Sequence, residues 1–326
     1  MNFWYSSKIK WQATLLSPLS LLVSAISGKR RAGRNKTPYK APVIVVGNLT
    51  VGGTGKTPMI IWLVHKLQQQ GFRVGVVSRG YGAAEKPDYP LSVSAQTDVS
   101  VCGDEPKLIQ NRTGCAIVVD PKRHRAVTHL LESHTVDLVI SDDGMQHYAM
   151  HRDLEILMVD GHRLFGNELL LPAGPLREAK SRLGSVDFIV TKGQPDKPLP
   201  GSVAAELSFS QPENYAGAIL PHCDVCAVSG IGNFDSFVSS LTSLGFRVAE
   251  QVQFNDHQKI DRKVLASAQL PVIITEKDAV KLKLNDFPKT YVVKLDYSLP
   301  ESFEHKLIDR IEALIHEKSR HHSSPL

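Results

Sequence analysis

Residues 48–58 read N-L-T-V-G-G-T-G-K-T-P and follow, after Gly47, the apolar run V-I-V-V at residues 43–46. A short continuous run of branched residues that ends in a glycine turn is a buried strand. Gly52, Gly53 and Gly55 let successive backbone N–H groups turn toward one anion, which side chains would obstruct. Behind them Ile60, Leu63, Val64 and Leu67 recur at helical spacing. Pro58 fits the first turn of that helix, where no internal N–H bond is lost. The helix adds its positive end to the loop. Thr50, Val51, Gly52, Gly53, Thr54, Gly55, Lys56 and Thr57 therefore form a predicted phosphate-binding loop. Lys56 would reach the β- and γ-phosphates of a nucleotide, and the Thr57 hydroxyl would ligate magnesium. Thr50 stands where the G-x-x-x-x-G-K-T pattern has its first glycine.

Working outward, apolar runs predict strands at 74–77, 116–119, 136–140, 154–159 and 186–190, with a helix over 122–134. Such alternation gives an α/β fold, a P-loop-type parallel sheet covered on both faces, with ligand loops at the strands' carboxyl ends. Residues 37–193 form this expected core, and 194–222, rich in Pro, Gly and Ser, an interlobe connection. A smaller α/β lobe is expected over 223–318, with strands at 225–228, 272–275 and 291–295, and a loose tail over 319–326.

A bound metal needs a further carboxylate at the end of a neighbouring strand, and the run at 136–141 leads into Asp142 and Asp143. Spacing does not say which of the two would touch it, and a simple turn is the alternative. Thr191-Lys192-Gly193-Gln194 lacks the aspartate of a guanine-reading motif, which favours ATP.

Hydrophobic content of 42% and charged content of 22% describe an ordinary soluble core. The net charge of +5 is unevenly spread: no Asp or Glu precedes Glu85, whereas Lys8, Lys10, Lys29, Arg30, Arg31 and Arg34 crowd the start. Within this segment, 1–36, residues 15–26 are apolar but shorter than the roughly 20 residues a spanning helix needs. Flanking Phe3, Trp4, Tyr5, Trp11 and basic residues favour an interfacial anchor on an anionic surface, with a secretory signal or a core-packed helix as alternatives. An apolar run is a poor partner for nucleic acid. Cys223 and Cys226 form a lone C-x-x-C without the second ligand pair of a zinc site; buried strand thiols or a redox pair both fit them.

The loop, together with S-R-G-Y-G (78–82), G-D-E-P (103–106), D-D-G-M-Q-H-Y (142–148), L-P-A-G-P-L-R-E (171–178), V-S-G-I-G-N (228–233) and T-E-K-D-A-V-K-L (275–282), resembles the tetraacyldisaccharide 4'-kinase family, in order along nearly the whole chain. The resemblance implies ATP- and magnesium-dependent phosphorylation of the 4'-hydroxyl of an acylated, phosphorylated disaccharide, a lipid A precursor, at the cytoplasmic face of the inner membrane. No nucleic acid and no obligatory protein partner are expected. By the same resemblance Asp104 would accept the hydroxyl proton beside His257, with Lys56 as the third catalytic residue. Glu178 would complete the metal shell of Thr57, Asp142 and Asp143, and Arg79, Arg123, Gln146 and His147 would meet the substrate. Gln258, Lys259 and Ile260 depart from the family's pattern after His257. A P-loop switch or metallochaperone ATPase would carry the same loop and aspartates but has no use for the apolar start.

Overall fold

The structure, a computed structural model, describes residues 2–6, 8–85, 87–255 and 258–323. Among these the strands form two sheets. The larger holds β1 (Val43–Gly47), β2 (Val74–Ser78), β3 (Leu91–Val93), β4 (Ala116–Val119), β5 (Leu138–Asp142), β6 (Leu154–Asp160), β7 (Phe188–Lys192) and β8 (Ser202–Phe209). The smaller holds β9 (Asp224–Ser229), β10 (Arg247–Gln253), β11 (Val272–Thr275) and β12 (Thr290–Val293), after which β13 (Leu295–Ser298) returns to the larger.

The V-I-V-V run makes β1 the central strand because both of its faces are covered, and every residue in it is buried. The order β13-β8-β7-β6-β1-β5-β2-β4-β3 is parallel except at its edges, where β13 opposes β8 and β3 opposes β4. β5 and β6 flank β1 in parallel, so the strand order reverses there and a crevice opens beyond their carboxyl ends. Helix Lys56–Gln69 covers one face through Met59, Ile60, Leu63 and Leu67. The last helix, Glu301–Ser323, joins the same core through Phe303, Leu307 and Ile311. Helix Arg123–Ser133 covers the opposite face with Ala126, Val127 and Leu130.

Several boundaries differ from the sequence reading. The stretch 194–222 contains β8, a full member of the large sheet. β13 and the last helix lie within 223–318 but pack on the large sheet, leaving β10-β9-β11-β12 as the parallel core of the smaller body. β10, R-V-A-E-Q-V-Q, is a polar edge strand and carries no apolar run to announce it. β5 and β7 begin later than expected and reach Asp142 and Lys192.

Near the N-terminus, Trp11–Ala32 is one helix that continues through Pro18. Its buried residues are few, Ala13 and Ser20, and Ser20 Oγ donates to the Leu170 carbonyl at 2.8 Å. Trp11, Leu15, Leu19, Leu22 and Ile26 form a solvent-facing stripe at helical spacing. Among the described residues no helix is long and apolar enough to cross a membrane.

Candidate active site

The loop after β1 is built to stay open. Buried Asn48 donates its Nδ2 to the Gly52 carbonyl at 3.4 Å, and Val51 N donates to the Pro175 carbonyl at 2.9 Å. Gly52 has φ 111°, and a Cβ on Gly52 or Gly53 would point into open space. Helix Lys56–Gln69 begins behind Gly55 with no side-chain cap, so its first N–H groups remain available to an anion. Gly55 is required for a different reason: its φ is 79°, and an added Cβ would lie 1.8 Å from the Tyr297 hydroxyl. Gly55→Ala is therefore expected to cost about 1–3 kcal/mol of stability through overpacking and left-handed strain, read as a lowered Tm.

A cavity of about 1510 Å³ runs from this loop to the smaller sheet. Its walls include Gly52–Thr57 residues Gly53, Lys56 and Thr57, then Arg79, Glu105, Asp142, Asp143 and Arg177, and on the far side Asn233, Phe237, Glu276 and Lys277. Its lining also includes Ile26, Lys29 and Arg30 of the N-terminal helix.

The two aspartates at the end of β5 differ in environment. Asp142 is 2% exposed and accepts from Ser78 Oγ at 2.9 Å, while its Oδ1 has no hydrogen-bond partner. Burial, reinforced by Glu105, pushes its carboxyl up to about 7 against the pull of Lys56 and Arg123. Asp143 sits in left-handed backbone at φ 47°, an uncommon conformation for a non-glycine residue. Lys56 Nζ is 3.5 Å from its Oδ1, and Arg177 donates to its Oδ2 at 2.9 Å. Burial opposes its ionisation, but these two cations outweigh it and hold the carboxyl below the usual range. Among the described residues there is no cluster of three or more His, Cys, Asp or Glu able to hold a metal. Two carboxylates and a hydroxyl nonetheless fit magnesium, which binds through one or two carboxylates plus nucleotide phosphates. Asp142 Oδ1 and Asp143 Oδ1 are both buried without a hydrogen-bond partner, and such an ion would satisfy them.

Other expected residues fall in different places. Glu178 is 4% exposed and has both oxygens committed, one to Tyr148 and the other to Gln146 at 2.9 Å, with Arg182 3.5 Å away. This arrangement sets it behind Gln146 as a brace, not in the metal shell the sequence reading gave it. Gln146 ties three parts together, donating to the Asn48 carbonyl at 3.2 Å as well as to Glu178 and accepting from Arg177 at 3.3 Å. Arg123 is 1% exposed and donates to the carbonyls of Asp120 and Asp142 at 2.8 and 3.2 Å, while its Nε has no hydrogen-bond partner. It steadies the end of β5 while also lining the cavity, where Arg79 is among the exposed guanidinium groups. His147 lines the cavity with its pKa lowered to about 4 by burial and Arg123, so its imidazole is neutral at pH 7.

Asp104 opens helix Asp104–Thr113 and is 3% exposed, 3.5 Å from Lys281 Nζ, with Glu105 rather than Asp104 in the cavity wall. His257 lies outside the described residues. Sequence reasoning missed Ser78, Glu105, Arg177 and Lys192 as parts of the site. Each stands inside or beside a quoted motif, so the motif was visible and the side chain's direction was not. Lys192 lines the cavity wall, its ammonium pKa lowered by burial.

The chain is similar to known proteins along most of its length. The model of the tetraacyldisaccharide-1-P 4'-kinase family matches residues 12–312. The tetraacyldisaccharide 4'-kinase of Aeromonas salmonicida is 42% identical over 325 residues, covering 96% of each chain. That of Vibrio campbellii is 47% identical over 277 residues, covering 82% of each. The crystal structure of the "apo" form of LpxK from Aquifex aeolicus in complex with ATP superposes with a TM-score of 0.75 at 30% identity, covering 92% of this chain and 99% of that one.

Proposed function

The chain belongs to the tetraacyldisaccharide-1-P 4'-kinase family and is an ATP-dependent lipid A 4'-kinase, and from that premise we propose how its residues divide the work. The backbone N–H groups of Gly52 to Gly55 cradle the triphosphate, and Lys56 neutralises the β- and γ-phosphates. Thr57, Asp142 and Asp143 would hold magnesium, which when bound would supply neutralising charge to the phosphates. Asp104 accepts the proton of the 4'-hydroxyl, with His257 as its partner, once the acceptor sugar lies in line with the γ-phosphate. Arg79 and Arg177 meet the substrate's existing phosphate, Arg123 braces the end of β5, and Gln146 and neutral His147 shape the cleft around the sugar.

One observation supports delivery from a bilayer surface. The helix that leaves Trp11, Leu15, Leu19, Leu22 and Ile26 in solvent ends in Lys29, Arg30 and Arg31, and the first two of these line the cavity. Lying in the interface of the inner membrane's cytoplasmic face, such a helix buries its apolar stripe among acyl chains and sets its basic end among anionic headgroups. The acylated end of the substrate can then stay in the leaflet while its sugars enter the cavity. A Leu15→Glu/Leu22→Glu variant is expected to lose about 100-fold or more of its partitioning to anionic vesicles, since each buried leucine contributes about 1.5–3 kcal/mol. Sedimentation with vesicles checks this, and unchanged partitioning would remove the anchor from the account. The catalytic reading is tested in mixed micelles: ATP turnover should require the phosphorylated, acylated disaccharide.

A further inference from the structure

We infer that Lys281 is a positioning residue, whose ammonium keeps the Asp104 carboxylate ionised and aimed across the junction of the two sheets. The inference rests on Asp104 as the proton acceptor. Helix Asp104–Thr113 packs on the large sheet, whereas Glu276–Ala279 follows β11 of the small one. Ion pairs join the two: Arg112 to Glu276 at 2.8 Å, Lys277 to Glu105 at 3.6 Å and Lys281 to Asp104 at 3.5 Å. The last is the most buried, with side chains 5% and 3% exposed, so water and salt screen it least.

Lys281 is itself fixed. Asp278 is fully buried, and its Oδ2 takes Ser229 Oγ at 2.6 Å, Thr275 Oγ1 at 2.9 Å and Gly230 N at 3.1 Å. Its other oxygen holds Lys281 Nζ at 3.1 Å. The small sheet thus presents a clamped ammonium to a carboxylate carried by the large one, the arrangement of a base oriented by a further group. The backbone at Asp104 is set separately: Gly103 has φ 90°, and a Cβ there would lie 2.5 Å from the Tyr81 carbonyl.

Burial alone drives a carboxyl toward its protonated form, in which it cannot accept a proton. Several charged groups near Asp104 do not counter this. Glu105 on its own helix and Asp98 on the preceding turn are anionic, and Cys102 is a buried thiol. Lys107 turns away to the carbonyls of Ser94 and Ala95, Lys277 faces Glu105, and Asp278 adds negative charge behind Lys281. Lys281, 3.5 Å from the carboxylate, supplies compensating charge from the smaller sheet.

The test is the pH profile of kcat/KM for the glycolipid at saturating ATP and magnesium. In Lys281→Met, and in Lys281→Gln as a second neutral variant, the acid limb should move up by about one unit or more, so that activity near pH 6 falls about tenfold further than the parent's while activity at high pH recovers. Lys281→Arg should leave the limb in place. A uniform loss with an unmoved limb in either folded neutral variant overturns the inference, as does an upward shift in Lys281→Arg. An active Asp104→Asn enzyme would instead overturn the assignment of the base, and so separates the two failures.

Discussion

Asp104→Asn is expected to lower kcat by about 10²–10⁴-fold, the contribution of a positioned general base. The amide has the shape of the carboxylate but cannot take up the hydroxyl proton. The fold should survive, because Lys281 keeps its 3.1 Å contact with Asp278 and the helix still starts at Gly103. Turnover of the glycolipid in mixed micelles, measured beside the thermal unfolding midpoint, checks both halves of this expectation. A variant that retains its kcat would remove Asp104 from the base role, and one that fails to fold would show that the buried charge has a structural duty. Asparagine is the sharper choice than alanine, since it leaves no cavity where the side chain is 3% exposed.

Lys56→Ala is the second large effect, a loss of about 10²–10³-fold in kcat/KM for ATP, typical of removing one preorganised partner of developing charge. Its ammonium leads helix Lys56–Gln69 and lies 3.5 Å from Asp143. Alanine is a good helix former, and Asp143 retains Arg177 at 2.9 Å, so the loop and aspartates should keep their places. Loss of transfer with an unchanged unfolding midpoint is the expected result. A kcat/KM within tenfold of the parent's would assign the phosphate charge to other cations of the cavity, such as Arg79 or Lys192.

What could be read from the sequence was local. The V-I-V-V run, the glycine loop and the helical spacing behind it are contiguous, and they appear as β1, its turn and its helix. Asp142 and Asp143 were legible because a strand end is marked by the apolar run before it. The return of β13 to pair with β8 was not legible, since a four-residue strand, L-D-Y-S, has no pattern of its own and is fixed by a distant partner. Arg112 reaches Glu276 and Asp296 across separations of 164 and 184 residues, which no spacing rule records. The roles of Glu178 and Arg123 depended on direction. Both stand in site-like motifs, yet one turns back to Tyr148 and Arg182 and the other to backbone carbonyls.

The central claim is that the γ-phosphoryl group of ATP moves to the 4'-oxygen of an acylated disaccharide 1-phosphate. Phosphorus NMR of the lipid recovered after incubation with enzyme, magnesium and ATP tests it most directly. The account predicts a second phosphomonoester resonance on the glycolipid, growing as ATP is consumed. Inorganic phosphate accumulating while the lipid keeps its single resonance would contradict it.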